Sequence, residues 1–77
     1  MTEKKIMDFF IEKGKGDGLG YDTDLFTGGY INSLFAFEMV VYIEEAFGVK
    51  IADKEITEDN FRSIAAITAM INRVKGG

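Results

Sequence analysis

A chain of 77 residues without a single cysteine has no disulfide to hold it together, and it cannot build a zinc-thiolate centre either. Small domains bury only a modest share of their surface, so this length is enough for one domain and too short for two. One compact apolar core is therefore expected, maintained by packing alone. The opening run MTEKKIMDFFIEKGKG mixes acids and bases among its apolar residues, unlike a secretory signal. No stretch is apolar over the length that a bilayer demands, and the expected location is the cytoplasm.

Helical periodicity governs most of the chain. From about Thr2 to Lys13, Ile6, Phe9 and Phe10 recur at the spacing of one helix face, with Glu3, Lys4, Asp8 and Glu12 mostly elsewhere. A second helix is expected from Ser33 to about Phe47: Ser is a favoured N-cap type, no Gly or Pro interrupts the run to Phe47, and Gly48 stands where a left-handed C′ residue belongs. Along it Ala36, Met39, Val40, Ile43 and Phe47 form one stripe, and Leu34, Phe37, Glu38 and Val41 an adjoining one. Apolar residues thus cover more than one face, which in so small a domain means extra core or an exposed docking patch; for Phe37 and Val41 spacing alone leaves both readings open. Thr57 caps a brief helical turn through Asn60, and a last helix starts near Ser63 with the stripe Ile64, Ile67, Thr68, Ile71 and Val74. Between the first two helices lies GKGDGLGYDTDLFTGGYIN, with six of the nine glycines, a loop long enough to suggest a function of its own.

Charge is divided unevenly. From Gly16 to Val49 the acids Asp17, Asp22, Asp24, Glu38, Glu44 and Glu45 meet no Lys or Arg, and all nine bases lie outside that stretch. Such a field argues against nucleic-acid or anionic-membrane binding and favours a basic partner, although a solvated acidic face has the same composition. Direct catalysis is poorly supported: His and Cys are both absent, and no serine can pair with an imidazole. Gly14, Gly16, Gly18 and Gly20 match neither GxGxxG nor GxxxxGKS/T, and Asp17, Asp22 and Asp24 lack EF-hand spacing, so neither a nucleotide cradle nor a calcium loop is expected.

Ser33 remains. Alone it reads as a helix cap, but it stands in the run Leu25-Phe26-Thr27-Gly28-Gly29-Tyr30-Ile31-Asn32-Ser33-Leu34, followed by Glu38, Glu44-Glu45 and Phe47-Gly48-Val49-Lys50-Ile51. With its Asn-Ser-Leu opening of the second helix and its Glu-x-x-Phe-Gly ending, this pattern closely resembles the acyl carrier protein family. The resemblance extends more weakly through Asp59-Asn60-Phe61-Arg62-Ser63-Ile64 to cover nearly the whole chain, and only residues 25–51 carry it specifically.

That resemblance implies an all-α, acyl-carrier-like bundle of three main helices plus one short one, a single carrier domain over 1–77 with 75–77 as a frayed tail. It implies a 4′-phosphopantetheine arm, taken from coenzyme A by a separate phosphopantetheinyl transferase and attached to Ser33, on which an acyl group rides as a thioester. The partner face carried over from the family comprises Asn32, Leu34, Phe37, Glu38, Val41, Glu44 and Glu45, with Met39, Ile43, Phe47 and Ile51 as core. Its users are acyl-loading, dehydrogenase, acyltransferase or synthase enzymes that meet a monomeric carrier.

Asn32 replaces the Asp usual in fatty-acid carriers, while Tyr30, Ile31 and Asn32 separate the Gly28-Gly29 pair from Ser33 and so favour an acyl over a peptidyl carrier. The run is most similar to free-standing carriers of polyketide and hybrid polyketide–peptide antibiotic pathways that deliver hydroxymalonyl, methoxymalonyl or aminomalonyl extender units. A small core suggests an exposed, short, polar cargo. Three alternatives stay open: a peptidyl or aminoacyl carrier, a non-carrier helical interaction module in which Ser33 is only a cap, and a small carboxylate enzyme.

Overall fold

The computed structural model describes residues 2–76, which form four α-helices and no strand among the described residues. Helix α1 spans Thr2–Glu12, α2 Ser33–Phe47, α3 Glu58–Phe61 and α4 Ile64–Gly76, with a 3-10 turn at Asp53–Glu55 between α2 and α3. The molecule is therefore the all-helical bundle that the periodicity predicts. Lys75 and Gly76, expected to fray, continue α4; Gly77 lies outside the described residues.

One core joins all the segments. Ile6 and Phe10 of α1, Met39 and Ile43 of α2, and Ile64, Ile67, Met70 and Ile71 of α4 lose all of their solvent exposure. Each such side chain contributes about 1.5–3 kcal/mol by leaving water. Phe35, absent from the predicted stripe, is buried as well: its ring lies 5.5 Å from Phe9 and 5.3 Å from Phe10. The inward face of α2 thus runs Phe35, Met39, Val40 and Ile43, while Ala36 and Phe47 are half-buried at its margin.

The long loop from residue 13 to residue 32 is tied to the bundle by its own core residues. Leu25 is fully buried and Ile31 nearly so. The Leu25 N–H donates to the Arg62 carbonyl at 2.7 Å, and the Ala65 N–H donates to the Tyr21 carbonyl at 2.9 Å, which fastens the loop across the corner between α3 and α4. Asp24 shapes the next turn by accepting from the N–H groups of Phe26 and Thr27 through Oδ1, both at 3.0 Å. Gly29 completes it at φ +77°, a region that disfavours a side chain, and a Cβ on Gly28 would fall 2.8 Å from the Tyr30 ring.

Two further contacts hold α2 in register. Gly48 ends it in the left-handed conformation, its N–H donating to the Glu44 carbonyl. The Glu44 carboxylate then accepts from the Ile51 N–H at 2.9 Å and draws the chain back so that Ile51 enters the core. Downstream, Arg73 of α4 grips Glu55 at 2.7 Å, tying the 3-10 turn to the bundle and holding the Glu55 carboxyl below its ordinary range.

The Thr27 N–H, followed by the Phe26 N–H and the Arg62 guanidinium, holds the Asp24 carboxyl below its usual 3.8 against the opposing effect of desolvation. A carboxylate with a depressed folded-state pKa stabilises the fold above its unfolded pKa and loses that contribution as pH falls through the folded value. Acidification below pH 3.8 is therefore expected to lower the protection of the Phe26 and Thr27 amides, taken relative to their intrinsic exchange at each pH. Asp24→Asn should remove this share of the acid dependence and leave the share of Glu55, as read by hydrogen exchange and by urea midpoints measured against pH.

Candidate functional site

Position 33 sits at the first helical residue of α2, not at its cap. The cap is Asn32, whose backbone is extended at φ −134° and whose Oδ1 accepts from the Phe35 N–H at 2.9 Å. This corrects the expectation that Ser33 caps the helix. Asn and Ser are comparable N-cap residues, and with the two side by side the residue in extended geometry takes the role. Ser33 is left exposed, and its hydroxyl bonds to nothing among the described residues.

The surrounding backbone suits an anion. Asn32 satisfies Phe35, and the Asn32 carbonyl accepts from Ala36, but the N–H groups of Ser33 and Leu34 have no acceptor among the described residues. Free N–H groups at the start of a 15-residue helix carry its positive dipole end. A phosphodiester on the Ser33 oxygen fits this environment, since the site offers donors and a favourable potential and asks the helix for no capping group in exchange.

Two depressions flank the serine. On one side a cleft of about 310 Å³ runs between α2 and the α3 region, lined by Phe26, Ala36, Phe37, Ile56 and Phe61, with Asn32, Ser33, Thr57 and Glu58 at its polar edge. The expectation of an exposed cargo, drawn from the small core, did not foresee this cleft, because its walls come from three separate stretches of chain. On the other side a smaller groove brings Lys13 and Lys15 beside Asn32, Leu34, Phe35 and Glu38. Lys15 donates to the Tyr30 carbonyl at 3.2 Å and lies 4.4 Å from the centre of the Phe35 ring. At this groove the segment that lacks bases in sequence is therefore bordered by two of them in space.

The residues singled out for a partner face divide into groups. Leu34, Phe37 and Val41 are 70%, 64% and 55% exposed, so Phe37 and Val41 belong to the outer face and not to the core. Asn32, Glu38 and Glu45 are also exposed, with Glu38 3.6 Å from Lys13. Glu44 differs: it is half-buried, and its carboxylate is committed to the Ile51 N–H. Of the anticipated core residues, Met39, Ile43 and Ile51 are buried and Phe47 is half-buried.

Comparison with known proteins agrees with this geometry. Residues 13–71 match the family described as the phosphopantetheine attachment site. Across 78 aligned residues the chain is 28% identical to the probable acyl carrier protein PigG of a Serratia strain, an alignment covering 97% of this chain and 90% of that protein. An all-helical bundle, an anion-ready helix start and a family match over most of its length lead to one conclusion: this chain belongs to the phosphopantetheine attachment family of carrier proteins, whose prosthetic group is 4′-phosphopantetheine.

Proposed function

We propose that Ser33 is the residue that bears the 4′-phosphopantetheine arm, and that the protein holds an acyl group on that arm as a thioester and presents it to biosynthetic enzymes. The observation that carries this reading is the uncommitted, exposed Ser33 hydroxyl beside two free backbone N–H groups, with the capping duty taken by Asn32. The chain supplies the oxygen nucleophile and an electrostatically favourable seat for the phosphodiester. Among the described residues no base is hydrogen-bonded to the hydroxyl, so its proton must be removed by the partner transferase. The arm brings the thiol that a cysteine-free protein lacks. Tethering then delivers one substrate to successive active sites at high effective concentration.

The cargo we infer is a short extender unit of the hydroxymalonyl, methoxymalonyl or aminomalonyl type, used in a polyketide or hybrid polyketide–peptide pathway. The chain's likeness to a protein named as a probable acyl carrier supports an acyl over a peptidyl load. The exposed face of Leu34, Phe37, Glu38, Val41 and Glu45, continuous with Ser33 on α2, supports docking of partner enzymes there. Glu44 is better read as a structural residue, because reversing its charge would also strip Ile51 of its acceptor.

Incubation of the apo protein with coenzyme A and a broad-specificity phosphopantetheinyl transferase is expected to add the mass of one phosphopantetheine to the wild type and nothing to Ser33→Ala. A mass gain in both, or in neither, would overturn the assignment. Asn32→Ala is expected to cost about 1 kcal/mol in urea unfolding and to slow loading, whereas Asn32→Asp keeps both. Glu38→Lys combined with Glu45→Lys should leave the unfolding free energy within about 0.5 kcal/mol of the wild type and slow transfer to a partner enzyme. Co-expression with neighbouring pathway enzymes, and then mass spectrometry of the arm, tests the cargo; a long-chain fatty acyl load would contradict it.

A further inference from the structure

At the opposite end of α2 from Ser33, roughly 20 Å away by the rise of its 15 residues, the side-chain chemistry reverses. Lys5 of α1 and Lys75 of α4 place their ammonium groups 5.5 Å and 5.9 Å from the centre of the Phe47 ring. Lys50 and Lys75 line an open depression of about 430 Å³ together with Phe47, Gly48, Val49 and Val74, and Lys5 reaches its edge through the Phe47 ring. No acidic side chain lines it, and none of these lysines has a carboxylate within ion-pair distance among the described residues. Two helices far apart in sequence thus bring cations to one half-buried aromatic ring, and Lys50 lines the depression beside it. A ring face attracts an ammonium without neutralising it, so the charge remains available.

Complementing helix dipoles does not account for the whole cluster. The C-terminal ends of α2 and α4 each present roughly −0.5 charge, about −1 together, so the dipoles alone do not neutralise the three lysines. Lys5 lies in the N-terminal half of its own helix, the end at which a cation is least favoured. An extended polyanion is a poor match, because the molecule carries a net charge of −4 and the remainder of its surface repels one. A short anionic segment meets only the local field.

We propose that the Phe47 depression, with Lys5, Lys50 and Lys75, is a docking site for a short acidic peptide segment of a partner protein. Bound there, such a segment holds the carrier by the end remote from Ser33 and leaves the start of α2 open to the enzyme that services it. The site functions on the apo protein, so its test is independent of whether Ser33 is the attachment residue.

Titrating the 15N-labelled apo protein with hexaglutamate at low ionic strength is expected to shift the amide signals of Lys5, Phe47 to Lys50 and Val74 to Gly76, leaving Ser33 to Val41 unmoved. Joint replacement Lys5→Gln, Lys50→Gln and Lys75→Gln should weaken binding about tenfold or more, with an unchanged circular-dichroism spectrum. The location of the wild-type shifts decides the matter even if that variant folds poorly. Absence of shifts, shifts centred on Ser33 to Val41, or tighter binding of an oligothymidylate of equal charge would each overturn the proposal.

Discussion

Burial of Leu25 beneath the corner between α3 and α4 is the contact on which the remaining architecture depends. Helices of 11, 15, 4 and 13 residues cannot by themselves enclose a core, and the space is closed by a loop that sends Leu25 and Ile31 inward. The loop can lie there because its backbone is paired: Leu25 donates its own N–H to the Arg62 carbonyl, the Tyr21 carbonyl upstream accepts from Ala65, and the Leu25 carbonyl accepts from Tyr30 and Ile31. A buried chain segment without such partners would leave orphaned polar groups at a cost of about 1–3 kcal/mol each.

The same anchoring fixes where α2 begins. From Leu25 the chain has only the turn shaped by Asp24 and Gly29 before Ile31 is buried, so Asn32 arrives at the surface in extended geometry, ready to cap. Ser33 then falls on the first turn with its oxygen outward. Lys15, seated on the Phe35 ring and bonded to the Tyr30 carbonyl, braces the approach from the other flank. Loop, cap and serine form one mechanical sequence, which explains why so long an irregular segment is kept in so small a protein.

Much of this was legible in the residues and some was not. The helices announced themselves as stripes, because apolar side chains at three- and four-residue spacing must share a face. The role of Asn32 was hidden by its neighbour, since two good caps in succession cannot be ranked without the backbone angles. Phe35 was missed because the apolar residues beside it make two overlapping stripes equally plausible; the α1 phenylalanines decide between them. Glu38 opposite Lys13, Glu44 reaching Ile51, and the cleft walls from Phe26, Ile56 and Phe61 join residues distant in the chain. No local pattern records such pairings. The proposed attachment serine, by contrast, stood out through its motif, a local chemical signature that folding does not alter.

Dividing labour between Asn32 and Ser33 has a consequence for recognition. Asn32 caps the helix before anything is attached, so esterifying the proposed oxygen at Ser33 would withdraw no hydrogen bond from the cap, and the free N–H groups of Ser33 and Leu34 would be there to receive the phosphodiester. On that assignment, loaded and unloaded forms would share the same Asn32 cap. The cap would then offer a partner no difference between the two forms, and the arm with its burden would be what distinguishes carriers at different stages of a cycle.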